Sequence, residues 1–300
     1  MSKPTLKNRS ELSFSFVIYA ILILLFIVTF YPFWQVFIIS LNDAVDTVKG
    51  GLYFFPREFS IQSYITLLLD DNFTGSINVT VLRTLIGAPL AVLCTSMAAY
   101  TLSKRDLVGR RPIKLAFIFT MYFGGGLIPY YMILKSMHLI DKFGVYIFPN
   151  IINVFYMILV ITYIESLPAE LEESAKIDGA NDIVIFFKII MPLCMPILAT
   201  IILFNAINQW NSWFDSFAFT SKRSLKTLQA MLVLILTQYD TQSMQNSFSA
   251  RMSAAANKGA VNADSIRMAA TILATVPIIL VYPFLQKYFV KGIMVGAVKA

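Results

Sequence analysis

Charge is scarce in this chain. Only 14% of its 300 residues are Asp, Glu, Lys or Arg, against about a quarter in an ordinary soluble domain, so it cannot cover itself with a hydrated surface. Histidine and cysteine are nearly missing. His138 stands alone, and Cys94 and Cys194 sit far apart in apolar surroundings without a CxxC spacing, which excludes a histidine-cysteine metal site and a disulfide framework. Two buried free thiols are the expectation. No HExxH, GxSxG or G-x-x-x-x-G-K-[ST] run occurs, so neither a zinc protease, a serine hydrolase nor a phosphate loop is encoded. No catalytic residue and no cofactor site is expected on the chain. Any ATP must be bound elsewhere. The triplet Gly124 to Gly126 follows no strand and precedes no lysine-serine pair, so close helix packing or a hinge is its expected use. No internal repeat or low-complexity tract is found.

What the chain has in excess is apolar length. Hydrophobic residues make up 57%, and mean hydropathy is +0.70. They gather in runs that reach the roughly 20 residues a helix needs to cross a bilayer. Lipid offers no partner for backbone amides, so each run should be helical. The expectation is an all-α membrane protein, a single transmembrane domain over 1–300, with six spans at about 14–39, 77–102, 113–136, 143–165, 193–215 and 266–290. The first run follows Lys3, Lys7 and Arg9, but it is about twice the length of a signal-peptide core and no A-x-A site closes it. It is expected to remain as an anchor.

The net charge of +7 does not form an aromatic-interleaved patch, so a nucleic-acid partner is not expected. The basic residues flank the apolar runs instead. The amino-terminal cluster, the connection "SKRDLVGRRPIK" and the tail with Lys287, Lys291 and Lys299 fall on one side of six spans, and that side is the cytoplasm by the positive-inside rule. Both termini are therefore expected inside, with 40–76 and 216–265 outside. Within the second outer connection, "LQAMLVLILTQY" (228–239) is too short to span and reads as a helix at the surface or on the bundle. The following 240–265 reads as an exposed polar loop.

Between spans four and five lies "EESAKIDGANDIVIFFKIIMP" (172–192). Ser166 can cap a helix with Pro168 in its first turn, and Glu170, Glu172 and Glu173 favour the positive end of its dipole. Gly179 should end that helix in a left-handed conformation. Asn181 or Asp182 can then cap a second helix, in which Ile183, Phe186, Phe187 and Ile190 share one apolar face. Pro192 would open the fifth span. A solvated loop with ordinary caps is one reading; a projecting elbow with a small polar tip at Ser174, Ala175, Gly179 and Ala180, braced on the bundle, is the other.

The run Glu173-Ser174-Ala175, Asp178-Gly179-Ala180, Phe186, Ile189, Met191-Pro192 resembles the EAA motif of permease subunits in ATP-binding-cassette importers. "GGGLIPYYMILKSMHLID" (124–141), "INQWNSWFDSF" (207–217) and "KGIMVGAVKA" (291–300) resemble the maltose-type carbohydrate branch, in the subgroup associated with oligosaccharide and polysaccharide fragments. Ser174 stands for the motif's second residue, Met191 for leucine and Ala300 for a glycine; all are small or volume-conserving changes. The resemblance implies a type I importer permease in a bacterial cell membrane. It also implies a heterodimer with a second permease chain, an ATPase pair carrying ATP and Mg, and an extracellular or periplasmic sugar-binding protein. The 166–192 loop would be a coupling helix held in a cleft of the ATPase, with Glu172, Glu173, Ser174, Ala175, Asp178, Gly179, Ala180 and Pro192 at the contact. Glu173 would pair with a basic group there. The outer loop at 216–265 would dock the binding protein.

Along the expected fifth span, Asn205, Asn208, Gln209 and Ser212 recur at helical spacing. Amides in lipid need partners, so helix-to-helix bonding and a sugar path are both open readings. Tyr156, Tyr130, Tyr131, Trp210 and Trp213 could stack on sugars, although an interfacial anchoring belt is the expected role of aromatics near the boundary. Arg83 lies inside the second span, where a charge is costly. It is expected to snorkel outward; otherwise it faces the cavity, pairing with Asp215 or attracting an acidic sugar. Importer of another small solute is an alternative function. A membrane enzyme acting on lipid-linked sugar lacks an acid-base pair beyond Glu165 and Asp215. A secondary transporter would show more spans, inverted repeats and intramembrane ionisable groups.

Overall fold

The structure, a computed structural model, describes residues 9–246 and 262–297. In chain order its helices are α1 (Arg9–Ser40), α2 (Ala44–Thr47), α3 (Gln62–Leu69), α4 (Asp71–Ser103), α5 (Arg110–Tyr122), α6 (Leu127–Ser136), α7 (Val154–Glu165), α8 (Glu170–Ile177), α9 (Asp182–Ile185), α10 (Met191–Leu193), α11 (Met195–Asn211), α12 (Phe214–Phe219), α13 (Leu228–Asn246) and α14 (Ala263–Ala297). Among the described residues there is no strand, only an isolated bridge between Asn42 and Phe59. By internal contacts they fall into two compact units, the first within Met1–Leu69 and Ile235–Leu273, the second within Asp70–Leu234 and Ala274–Ala300.

In the first unit, α1 is apolar all round: Phe14 to Val28 leave most of their large side chains exposed. A helix without a polar face has only lipid or another apolar surface to meet. Beyond its end, a polar knot fixes the chain. Asn42 Oδ1 accepts from the backbone of Arg57 (2.8 Å) and Glu58 (3.1 Å), its Nδ2 donates to Asp46 Oδ2 (3.1 Å), and Arg57 Nε donates to the same carboxylate (2.9 Å). Asn42 and Asp46 are buried, and every one of these groups has its partner, as burial requires.

In the second unit, α4 packs along α11 and α7. Its contact stripe is small: Ala88, Ala91, Thr95, Ser96 and Ala99 are all buried, which lets backbones approach closely where apolar contact alone gives no preference over lipid. Val92, Met157, Val160, Ile161, Leu198 and Ile201 fill the core around that stripe. A second cluster joins Val79, Leu134, Leu139, Val145, Tyr146 and Phe219.

Three helices are each long and apolar enough to cross a membrane: Phe14–Ser40, Asp71–Ser103 and Ala263–Val281. Three further pairs qualify only together, because each is bent: Arg110–Tyr122 with Leu127–Ser136 by 120°, Phe143–Asn150 with Val154–Glu165 by 44°, and Asp182–Leu193 with Met195–Asn211 by 82°. Counted one per pair, the candidates number up to six. The expected third run is thus a helix pair rather than a rod. Gly126, at φ 83°, adopts a backbone that residues with a Cβ avoid, and it makes the corner together with Gly124 and Gly125. A Cβ at Gly124 or Gly126 would meet no atom within 4 Å, so the triplet makes a corner rather than a close helix contact. The expected fifth run likewise stops being a rod at Ser212, whose ψ of 120° is extended; α12 follows it.

Two local expectations are corrected. Ser166 does not cap α8. Its hydroxyl donates to Tyr163 O (2.7 Å) and so closes the end of α7, while Ala169 occupies the α8 cap position without a side-chain bond. The apolar face after Asn181 is also rotated. Ile185, Phe186 and Ile190 are buried, whereas Ile183 is 68% and Phe187 46% exposed. A π turn over Phe186–Ile190 adds a residue to one turn, so Ile190 no longer falls on the same face as Ile183, as it would in a regular α-helix. The 228–239 segment is helical as expected and begins buried at Leu228 and Ala230. Of the polar 240–265 stretch, 240–246 continue α13 and 263–265 open α14 rather than forming loop; the remainder is mostly outside the described residues. Cys94 and Cys194 are free; Cys194 is buried as expected, whereas Cys94 is only half-buried.

Candidate functional site

The middle of α4, the approach to α7 and the broken end of α11 line a partly open polar cavity of about 250 Å³ formed by Arg83, Asn150, Ile152, Asn153, Asn205, Asn208, Gln209 and Ser212. The helical spacing of the four α11 positions predicts a common face, and the structure puts all four on one wall. Arg83 does not snorkel outward; the residue is 1% exposed. Its Nη2 lies 2.6 Å from Asp215 Oδ2, its Nη1 donates to Asp215 Oδ1 (3.2 Å) and Ser212 O (3.3 Å), and its Nε donates to Gln209 Oε1 (2.9 Å). The guanidinium also stands 4.5 Å from the centroid of the Tyr146 ring, a favourable place for a cation. Burial of a charge is costly unless paired and bonded, and the break in α11 at Ser212 is what turns Asp215 and a free carbonyl toward it.

The amides are held by few bonds. Gln209 Nε2 donates to Tyr146 O (3.4 Å), Asn205 Nδ2 to Ile201 O (3.1 Å), and Asn208 Nδ2 reaches Tyr156 Oη at 3.5 Å. Asn153 caps α7 through Tyr156 N (3.1 Å) while its own backbone N–H donates to Thr95 Oγ1 (3.2 Å). Tyr156 touches the cavity through Asn208 and stacks on Phe204. The other aromatic candidates lie elsewhere: Trp210 donates to Ala274 O (3.0 Å), and Tyr130 and Tyr131 rest against Phe219. Asn150 and Asn153 were missed from sequence, although two amides in the apolar "FPNIINVFY" were a visible signal. Tyr146 was not, because its role is played by a ring face and a backbone carbonyl.

The second candidate region is the acidic elbow. Gly179 takes φ 81°, and Ala180 N and Gly179 N donate to Ala175 O and Lys176 O, both at 3.0 Å. This closes α8 as the glycine predicts. Asn181 then caps α9 by accepting from Val184 N (2.9 Å). Ala175 is buried, Ala180 half-buried, and Glu173, Ser174, Asp178 and Gly179 form an exposed tip. The two glutamates separate: Glu172 turns inward to Lys104 and to Lys176 (3.2 Å), while Glu173 faces outward. Lys104 also lies 3.2 Å from Asp182 Oδ1 and 2.5 Å from Tyr100 Oη. Burial pulls the Lys104 ammonium below the usual lysine range, against the opposing pull of Asp182. Pro192 lies in the ascending arm; the bend before α11 falls at Cys194, so the fifth run opens there and not at Pro192. Among the described residues no cluster of His, Cys, Asp or Glu could hold a metal ion.

Apolar helices of membrane length, together with an amide-lined cavity and an exposed elbow within the second unit, fit a membrane transport subunit. The chain belongs to the family described as binding-protein-dependent transport system inner membrane components, whose model matches residues 80–295. It is 35% identical over 294 residues, covering 98% of this chain and 100% of the relative, to the polygalacturonan/rhamnogalacturonan transport system permease protein YtcP of Bacillus subtilis (strain 168). It is 34% identical over 277 residues to Protein LplC of the same strain, covering 91% and 90% of the two chains. A crystal structure of a bacterial ABC transporter involved in the import of the acidic polysaccharide alginate superposes with a TM-score of 0.81 at 28% identity, covering 96% of this chain and 100% of that one. The resemblance to importer permeases and the type I fold it implies therefore stand. The protein is a multi-pass permease subunit of an ABC importer and not an enzyme.

Proposed function

We propose that this permease forms half of the translocation path for acidic oligosaccharides, fragments of uronate-bearing polysaccharides. The cavity of neutral carboxamides carries the reading. Asn150, Asn153, Asn205, Asn208 and Gln209 offer paired donors and acceptors of the kind sugar hydroxyls require, and a bound sugar would replace bonds that the amides now lack. Arg83 is paired with Asp215 and bonded to Gln209 Oε1 and Ser212 O, so the carboxamides are the groups the cavity most readily offers to a sugar hydroxyl. The acidic character of the cargo is inferred from the polysaccharides named for the relatives.

The rest of the assembly follows from the family. The importer comprises a second permease chain, an ATPase pair holding ATP and Mg, and an external sugar-binding protein. The termini and the 166–192 elbow face the cytoplasm, and the 216–265 connection faces the binding protein. Glu173, Ser174, Asp178 and Gly179 present the tip that the ATPase grips; Ala175, Ala180 and Pro192 brace it from behind. Six crossings, one per single helix or bent pair, would support this topology, and the apolar helices allow up to that number. The test is affinity purification of the tagged chain in mild detergent, followed by uptake measurements in vesicles. Capture of an ATPase and a second permease, with uptake of oligogalacturonides in preference to neutral oligosaccharides, is expected. A chain that captures no ATPase would overturn the reading.

A further inference from the structure

We propose that Lys104 is a positioning residue that ties both arms of the acidic elbow to α4, so that elbow and helix move as one body. Lys104 follows the last turn of α4, and its side chain is 15% exposed. Its ammonium pairs with Glu172 on α8 and lies 3.2 Å from Asp182 Oδ1 at the start of α9. Those helices are the two sides of the Gly179 corner, so a single cation holds both. One turn back on α4, the Tyr100 hydroxyl is 2.5 Å from the same nitrogen, which sits 4.1 Å from the centre of that ring. The ring's other neighbour is Phe186, 5.4 Å away, on the ascending arm. An exposed lysine-glutamate pair would be screened and add little. Here three polar partners and an aromatic contact converge on one partly buried cation. The Asp182 carboxylate is 68% exposed, so Glu172 and Tyr100 are the firmer holds.

From the residue before Lys104 back to Arg83, α4 is one helix with Pro89 inside it, about 30 Å at the rise of an α-helix. Arg83 is on the wall of the amide cavity. A displacement of the elbow therefore has one continuous helix by which to reach the cargo site, and Lys104 is where that helix is gripped. The inference rests on the reading of the elbow as the ATPase contact.

The test uses the whole importer, purified through this chain and reconstituted in proteoliposomes with its binding protein, reading oligogalacturonide uptake and ATP hydrolysis together. Lys104→Met keeps the aliphatic stem and removes the charge. Uptake per ATP is expected to fall about tenfold, an ordinary size for a coupling between sites, with ATPase subunits still captured in wild-type amount. Lys104→Arg is expected to restore most of the ratio. Glu172→Gln, which leaves Lys104 with Asp182 and Tyr100, should lower it less, and it carries the test if the methionine variant does not accumulate. Unchanged coupling in these variants sinks the proposal while leaving the elbow's role intact. Loss of ATPase capture by folded Lys104→Met also sinks it, since Lys104 would then belong to the docking surface. A wild-type chain that captures no ATPase sinks both.

Discussion

Arg83 Nη2 meets Asp215 Oδ2 at 2.6 Å, joining α4 to α12 across 132 positions of sequence. The arginine side chain is 1% exposed and the aspartate 14%, so each charge depends on the other for the solvation it has lost. Removing one partner of a buried pair costs about 3–5 kcal/mol, because the survivor is left uncompensated. Asp215→Asn should accordingly lower the melting temperature of the detergent-solubilised chain strongly. Replacing both residues with apolar ones of similar volume should cost less than either single change. A double variant as damaged as the sum of the singles would show that the two act independently.

Gly179 separates a conformational requirement from a spatial one. A Cβ placed there would meet no atom within 4 Å, yet φ is 81°, in the region that L-residues reach at a cost of roughly 1 kcal/mol or more. Gly179→Asn, which tolerates that backbone, should leave uptake close to wild type. Gly179→Val should strain the corner and lower uptake several-fold without loss of the chain from the membrane. Gly179→Asp adds charge to the tip beside Asp178 and should uncouple hydrolysis from uptake. If valine and asparagine behave alike in the uptake assay, the left-handed corner has no functional weight.

The sequence made the helical class, the elbow and the α11 amide face legible, for one reason: each is written in local spacing. Gly179 and Asn181 state their backbone roles within four residues, and the 205–212 stripe needs only the helical period. What stayed hidden depended on distance in sequence or on an irregular turn. For Arg83 the sequence offers both snorkelling and pairing with Asp215, and local spacing cannot choose between them when the partner lies 132 positions away; the structure makes the pair. The π turn at Phe186–Ile190 takes Ile183 and Ile190 off a common face, and no composition signal announces an extra residue in a turn. Lys104 read as one of five basic residues in a connection, and only the fold shows that it alone among those five holds both arms.

The cavity amides should affect cargo recognition more than stability. Asn208 reaches only Tyr156 Oη, at 3.5 Å, so little in the folded chain depends on it. Asn208→Leu removes a donor and an acceptor that a sugar hydroxyl would use, a loss of about 1–1.5 kcal/mol per bond or roughly tenfold in affinity. The apparent KM for uptake should rise by that factor, with the melting temperature little changed. Gly87→Ala provides a milder probe of the same wall: its Cβ would come within 2.9 Å of Gln209 Nε2, pushing that amide from Tyr146 O. A KM unmoved by both changes would place the cargo contacts on the second permease chain.

Acid should loosen the junction at Asp141. Asp141 stands at φ 57°; its carboxylate accepts from the backbone N–H groups of Ser221 and Lys222, and its own N–H donates to Phe219 O (3.1 Å). Those two backbone bonds hold the carboxyl below the usual aspartate range. A folded value below the unfolded one, about 3.9, means the protons bind more readily to the open form. The stabilisation is fully present above the unfolded value and is lost as pH falls through the lowered folded value. Thermal melts between about pH 6 and pH 3 should thus show a declining melting temperature only in the lower part of that window. Asp141→Asn keeps an acceptor and tolerates the left-handed backbone, so it should fold while removing this share of the acid dependence. If the aspartate and asparagine chains lose stability along the same curve, the clasp between 141 and 221–222 is not what acid releases.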